Sequence, residues 1–399
     1  MTCSFAIDPG CVEILSTPEE FYARSMSLID SALERVSLAS LYIGEGEKSL
    51  RMIEALRSKA EKVPVVLLLD KNRSTRKGSP KIMCPNDPPN LLSVNLYSSP
   101  LQDRWGKFLP ERVREVVSVQ HMKALVVDEY VLITGANFSD SYFENRQDRY
   151  MVVRDRDLAD YVACILDDCG RSPMQKHEIL DTEDKTVITV GVQAGFINNQ
   201  GGENLLKWII SQGSDQIYIA SGYLYLPEST ENFLATNPRV KLLTAAPSAN
   251  SFFRSPGFSR FIPDMYSSYL ERVEKKFPGW DIYTYKRPGW TFHAKGVWLN
   301  GSNEWATVIG SSNFTYRSRD RDLELSFLLR TRDENLKMKL NDEVKRLFSC
   351  ERWSGCSPVS GSIKLLTSCI FKYWLYNCCV AKKFRVLQVG PNSHRVMNS

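Results

Sequence analysis

At 399 residues the chain is longer than one ordinary domain and suits two α/β units. With 43% hydrophobic and 24% charged residues it is a folding sequence, not a disordered one. The formal net charge of +5 is only mildly basic, which fits an acidic substrate or an anionic membrane surface without demanding either. The ten cysteines show no paired Cys-x-x-Cys spacing, which argues against a structural zinc site, and five fall in the last fifty residues; free thiols in a reducing compartment are expected. Before Arg24 there is no basic residue, while Asp8 and Glu13 are present, so the start reads as neither a secretory signal nor an Arg-rich transit peptide. No uncharged apolar run reaches the roughly 18 residues that span a bilayer. Leu365 to Ala381, broken by Lys372, comes nearest and reads as a membrane-surface segment, a buried helix or an unstructured tail.

In chain order the same parts occur twice. Glu34 to Gly44 (E-R-V-S-L-A-S-L-Y-I-G) alternates like a strand, and Asp215 to Tyr225 (D-Q-I-Y-I-A-S-G-Y-L-Y) does likewise with the same I/L-A-S core. Each is followed by a helix-like stretch, then by an apolar strand, Val63 to Asp70 or Val240 to Ala246. A further strand comes next, Ser93 to Ser98 or Asp281 to Lys286. Then His121-Met122-Lys123 precedes Gly135-Ala136-Asn137-Phe138-Ser139 in the first half. His293-Ala294-Lys295 precedes Ser311-Ser312-Asn313-Phe314-Thr315 in the second. An acid lies eleven positions after each asparagine, Asp148 and Glu324. The alternation predicts an α/β fold with a mixed, helix-flanked sheet in each half. The expected division is 1–175, 185–350 and a tail of unknown role at 351–399, with the boundary in the polar stretch from Arg171 to Asp184.

Only four histidines occur in the chain, and two hold equivalent places in the repeat. Residues two apart on a strand share a face, so His121 and Lys123 project together, as do His293 and Lys295. If the halves pack about a pseudo-twofold axis, both pairs meet in one pocket with Asn137 and Asn313 as further donors. That set suits a phosphodiester: lysines neutralise the oxygens, one histidine attacks phosphorus and the other protonates the leaving group. Asp148 and Glu324 are the candidates for orienting the imidazoles. No metal is required, because the lysines supply the positive charge.

The spacing His121-x-Lys123-x-x-x-x-Asp128 resembles the signature of the phospholipase D superfamily. Four stretches are similar to one branch of it, the phosphatidylglycerophosphate synthases. They are Q-H-M-K-A-L-V-V-D (120–128), G-A-N-F-S-D-S-Y-F-E-N-R-Q-D-R-Y (135–150), R-P-G-W-T-F-H-A-K-G-V-W-L (287–299) and I-G-S-S-N-F-T-Y-R-S-R-D-R-D-L-E (309–324). The likeness covers roughly residues 10 to 345. It implies two phospholipase D-like domains sharing one active site at their interface. It also implies a catalytic set of His121, Lys123, Asp128, His293 and Lys295, and transfer from CDP-diacylglycerol to glycerol 3-phosphate through a phosphatidyl-histidine, with His121 favoured as the nucleophile. No cofactor and no nucleic-acid partner are implied; peripheral attachment to a mitochondrial inner membrane is. The second motif departs from the pattern, because Asn300 stands where the aspartate is expected. Parity puts Asp128 on the face away from His121 and Lys123, which suggests a structural role that Asn300 can also fill.

Two other readings stay open: a phosphodiesterase with water as acceptor, and a lipid-binding relative that has lost activity. Lys71 to Lys81 reads as a phosphate- or headgroup-binding segment or as a solvated basic loop. Gly44 to Ser49 looks faintly like a phosphate loop but has the wrong spacing and two glutamates. Ser251 to Gly257, with Trp290, Phe292 and Trp298, lines an acyl-chain path or packs in the core. His177 and His394 read as surface residues.

Overall fold

Two mixed sheets carry the repeat. The computed structural model describes residues 2–75, 90–98, 118–168, 186–197, 199–212, 216–301 and 304–355. In the first sheet Val36–Ser40, Val65–Asp70 and Leu92–Tyr97 run parallel. Beyond Val36–Ser40 come Ala124–Val127, Tyr130–Thr134, Tyr150–Arg154 and Val12–Leu15, each antiparallel to its neighbour. In the second sheet Gln216–Ser221, Val240–Ala245 and Asp281–Tyr285 take the parallel places. Lys295–Asn300, Trp305–Gly310, Leu323–Thr331 and Thr186–Ala194 follow in the same antiparallel order.

The second sheet is extended at both ends by residues from elsewhere in the chain. Thr2–Ile7, expected in the first unit, pairs antiparallel with Thr186–Ala194 of the second. Glu351–Arg352, expected in the tail, pairs with Asp281–Tyr285. Residues 356–399 of that tail, the stretch 171–184, His177, and all but Lys71 to Thr75 of the basic segment lie outside the described residues.

Alternation along the strands divides the apolar side chains between layers. Leu125 and Val127 face a first-half core built with Phe21, Leu28, Met52 and Leu56 of the helices Pro18–Ser31 and Glu47–Lys59. Ala124 and Val126 face the opposite way. They join a core shared by both halves, which includes Val162 and Leu166 of Arg156–Asp167, Leu340 and Val344 of Glu334–Phe348, and Leu325 and Phe327 of the second sheet. The helices Gly201–Ser211 and Ile262–Lys276 cover the outer side of the second sheet. Thus two sheets sandwich a central pair of helices, and one further core cluster lies on each outer flank. Both central helices start on an aspartate cap: Asp155 accepts from Leu158 N at 2.8 Å and Asp333 from Leu336 N at 2.8 Å.

Two local features bear on the sequence reading. At Gly44 to Ser49, the N-terminus of Glu47–Lys59 is occupied by the protein's own carboxylate. Asp140 accepts from Lys48 N at 2.9 Å and from the Ser49 hydroxyl, and a Cβ at Gly46 would fall 2.4 Å from its carboxyl carbon. The phosphate-loop likeness is therefore a capped helix start.

Asp128 sits in a left-handed turn (φ 51°) after Ala124–Val127. Its carboxylate accepts from Leu33 N at 2.9 Å, Glu34 N at 2.8 Å and Arg35 N at 3.0 Å. It ties down the entry to Val36–Ser40 and contacts no motif residue, so its place in the catalytic set of the resemblance is corrected to a scaffold role. Asn300 ends its strand exposed to solvent. Asp128→Ala is expected to lower unfolding free energy by about 2 kcal/mol in urea titrations while leaving kcat unchanged. Asp128→Asn, which tolerates the left-handed turn, should cost less. A loss of kcat at full stability would restore Asp128 to the chemistry.

Candidate active site

The His-x-Lys segments lie at the starts of their strands, not in the middle of them. His121 and Lys123 precede Ala124–Val127, and Lys295 is the first residue of Lys295–Asn300. The reason is that the chain at these points pairs with the opposite half. Gln120 bridges to Leu323, and His121 N donates to Leu323 O at 2.8 Å. Thr291–Phe292 pairs with Arg146–Gln147, and His293 N donates to Gln147 O at 2.8 Å. The chain remains extended, so alternation still holds: Met122 and Ala294 enter the shared core while each His and Lys share the other side.

The acids and histidines are crossed between the halves. His121 Nδ1 lies 2.9 Å from Oε2 of Glu324, and His293 Nδ1 lies 2.6 Å from Oδ2 of Asp148. Glu324 also accepts from the Ser311 hydroxyl, and Asp148 from Arg149 N at 2.8 Å. Lys123 donates to His121 O at 2.7 Å; Lys295 donates to His293 O at 2.7 Å and Gly135 O at 3.2 Å, and lies 3.4 Å from Asp148. All six side chains are buried. Gly135 permits this crowding, since a Cβ there would lie 2.7 Å from Asp148 Oδ1 and 3.0 Å from Lys295 Nζ.

Burial governs the protonation of this cluster. It pushes both imidazoles well below the ordinary histidine range, reinforced by Lys123 at His121 and by Lys295 at His293. It lowers Lys123 to about 7 and Lys295 to about 8, and raises Glu324 to about 7. The empty site thus holds two neutral imidazoles. With Nδ1–H donated to Glu324, His121 leaves its Nε2 lone pair for chemistry, whereas His293 Nδ1 lies 2.6 Å from both Asp148 Oδ2 and Lys295 Nζ.

Asn137 Nδ2 donates to the Tyr142 hydroxyl at 3.3 Å, and that hydroxyl lies 3.1 Å from His293 Nε2. The carbonyl oxygens of Asn137 and Asn313 are buried with no partner among the described residues, so both can accept from an incoming hydroxyl. His121, Glu324 and the buried Asp322 bring donor atoms within 4.8 Å of one another, a spacing compatible with a cation. Those carboxylates are already engaged, Asp322 by Val119 N at 3.0 Å and Arg317 at 3.0 Å, and Lys123 and Lys295 stand nearby.

The fold has a close counterpart among solved structures. Phosphatidylserine synthase of Haemophilus influenzae Rd KW20 superposes with a TM-score of 0.74 over 95% of this chain and 96% of its own, at 19% identity. Residues 26–169 match the family described as "Cardiolipin synthase, PLD-like domain". That match spans the first of the two repeated halves. Curated relatives are similar over most of its length. The human mitochondrial CDP-diacylglycerol–glycerol-3-phosphate 3-phosphatidyltransferase is 28% identical across 86% of this chain and 78% of that protein. A Dictyostelium discoideum protein, named as a probable enzyme of the same activity, is 26% identical across 87% and 74%.

Within this phospholipase D-like site the sequence reading missed Tyr142, Arg146, Asp322 and the pair Arg149–Glu343. Asp322 was findable, since it stands two residues before Glu324, just ahead of the strand Leu323–Thr331. Tyr142 and Arg146 stood inside a quoted block without being singled out. Of the aromatics offered for an acyl path, Phe292 and Trp298 are core residues, whereas Trp290 is half-buried under Arg287 at 3.6 Å.

Proposed function

We propose that the chain transfers the phosphatidyl group of CDP-diacylglycerol to glycerol 3-phosphate, releasing CMP and phosphatidylglycerophosphate. The observation that carries the chemistry is the crossed pairing of two buried imidazoles with two carboxylates beside two buried lysines. The names of the relatives support the choice of substrates.

His121 Nε2 attacks the lipid-bearing phosphorus, the bond from phosphorus to the CMP oxygen breaks, and His293 gives a proton to the departing CMP. A hydroxyl of glycerol 3-phosphate then loses its proton to His293 and displaces His121, breaking the P–N bond. Lys123, Lys295 and the asparagine amides hold the non-bridging oxygens through the five-coordinate state. Because both imidazoles are neutral in the empty site, the acid acquires its proton when the anionic substrate arrives and raises the affinity of every nearby base for protons. The acceptor distinguishes this reading from hydrolysis, since the covalent intermediate is common to both. Among the described residues no helix is long and apolar enough to cross a membrane. Attachment at the mitochondrial inner membrane surface is the corresponding proposal for location, in keeping with the mitochondrial vertebrate relatives.

CMP release from CDP-diacylglycerol in detergent micelles is expected to depend on glycerol 3-phosphate. Its kcat/KM should fall as pH rises through about 7 to about 8, where Lys123 and then Lys295 in the free enzyme lose their protons. An ordinary lysine would hold the rate to above pH 10. CMP or phosphatidic acid release indifferent to glycerol 3-phosphate would sink the transfer reading. A kcat/KM flat to pH 10 would sink the role given to the lysines.

A further inference from the structure

The repeat is chemically broken at one pair of equivalent positions beside the site. Nine residues after Asn137 stands Arg146; nine residues after Asn313 stands Asp322. On the His121 side Asp322 is already matched by Arg317 at 3.0 Å. On the His293 side Arg146 has the opposite charge and no such match. Its Nε donates to Thr291 Oγ1 at 2.9 Å, and its guanidinium lies 4.6 Å over the Tyr142 ring. The phenols of Tyr142, Tyr223 and Tyr42 are the neighbours that most favour its charge, and Tyr142 is also a hydrogen-bond partner.

Those phenols also define where the guanidinium sits. Tyr42 and Tyr223 are equivalent residues of the repeat, each following the Ala-Ser end of a strand, Ala39-Ser40 and Ala220-Ser221. Tyr223 lies edge-on to His293 with ring centroids 5.6 Å apart, and Tyr142 edge-on at 5.0 Å. Arg146 is therefore one tyrosine ring away from the reacting imidazole, half-buried and without an ion-pair partner among the described residues. A cation so placed is costly unless an anion comes to it. A planar guanidinium fork among hydroxyl groups suits one anion above others, the phosphate group. The reacting phosphate already has Lys123 and Lys295, so Arg146 is surplus to it.

We propose that Arg146, set over the Tyr142 ring beside His293, is the subsite for a second phosphate, distinct from the one that reacts. That phosphate belongs either to the acceptor alcohol or to the departing nucleotide. Only the names of those two molecules rest on the phosphatidyl-transfer reading.

The test is Arg146→Gln in the full chain, with Arg146→Lys as the variant that keeps charge but loses the fork. If the subsite takes the acceptor, preference for glycerol 3-phosphate over glycerol, as a ratio of kcat/KM, falls roughly tenfold or more in Arg146→Gln, the loss expected for one hydrogen bond to a charged group. In that case the KM for CDP-diacylglycerol stays put. If it takes the nucleotide, the KM for CDP-diacylglycerol and the inhibition constant of CMP rise by a similar factor, while inhibition by cytidine and the acceptor preference do not change. Arg146→Lys should fall between wild type and Arg146→Gln in whichever arm responds. Acceptor preference and CMP inhibition both unchanged, in a variant that melts like wild type, would overturn the subsite. If wild-type turnover ignores glycerol 3-phosphate, the transfer reading fails separately, and CMP inhibition of wild type against Arg146→Gln still decides the subsite.

Discussion

His121→Ala is expected to lose phosphatidyl transfer by on the order of 10⁴-fold and to carry no lipid after incubation with labelled CDP-diacylglycerol. His293→Ala is expected to lose overall turnover comparably, yet to retain label on the protein, because CMP is a weakly basic leaving group that can depart, more slowly, without the acid, whereas the acceptor hydroxyl then lacks its base. The asymmetry follows from assigning attack to His121 and proton transfer to His293. The two imidazoles are alike in burial and in holding a carboxylate at Nδ1, so each single loss removes one distinct role. Label trapped on His121→Ala and absent from His293→Ala would reverse the two assignments. Label trapped on neither, with both inactive, would count against a covalent route.

The second large effect concerns stability. Arg149 leaves the first sheet and enters the second half. It meets Glu343 through Nε and Nη2, both at 2.8 Å, donates to Val308 O at 2.9 Å and Thr307 Oγ1 at 3.0 Å, and stacks on Trp298 at 3.9 Å. Trp298 Nε1 donates to Glu343 as well, at 2.9 Å. Gly296 leaves the space, for a Cβ there would lie 2.1 Å from Arg149 Nη1. Arg149→Met leaves the Glu343 charge buried and unmatched, and is expected to lower unfolding free energy by about 3–5 kcal/mol in urea titrations. Arg149→Met combined with Glu343→Leu should recover much of that loss, since a buried ion pair and an apolar pair of similar volume are often near-equal in stability. A double variant no more stable than Arg149→Met would show that the stacking and backbone bonds dominate over the charge pair.

What could be read in advance divides by range in sequence. The strand Gln216–Ser221 falls inside the predicted 215–225, and Asp281–Tyr285 inside 281–286, because period-two alternation is a local signal. The repeat itself was visible for the same reason. The crossing of Glu324 to His121 and of Asp148 to His293 was not, because it depends on how two sheets are placed across more than a hundred residues. The same holds for Arg149, whose partner Glu343 lies on a helix with no motif of its own. Position 128 shows the opposite case. Parity alone turned Asp128 away from the site, against the weight of the motif it completes, and its carboxylate is found on Leu33, Glu34 and Arg35.

The crossed acids make the site indivisible. A lesion at Asp148 falls in the first half of the chain but disables the histidine of the second, and a lesion at Glu324 does the reverse. Neither half therefore holds a complete acid–histidine unit, and each makes sense only as the partner of another like it. That is the arrangement of a twofold dimer in which every subunit completes its neighbour, here written into one polypeptide. Fusion removes the obligation of the two subunits to stay identical. Arg146 and Asp322, equal in position and opposite in charge, mark where that freedom has been used.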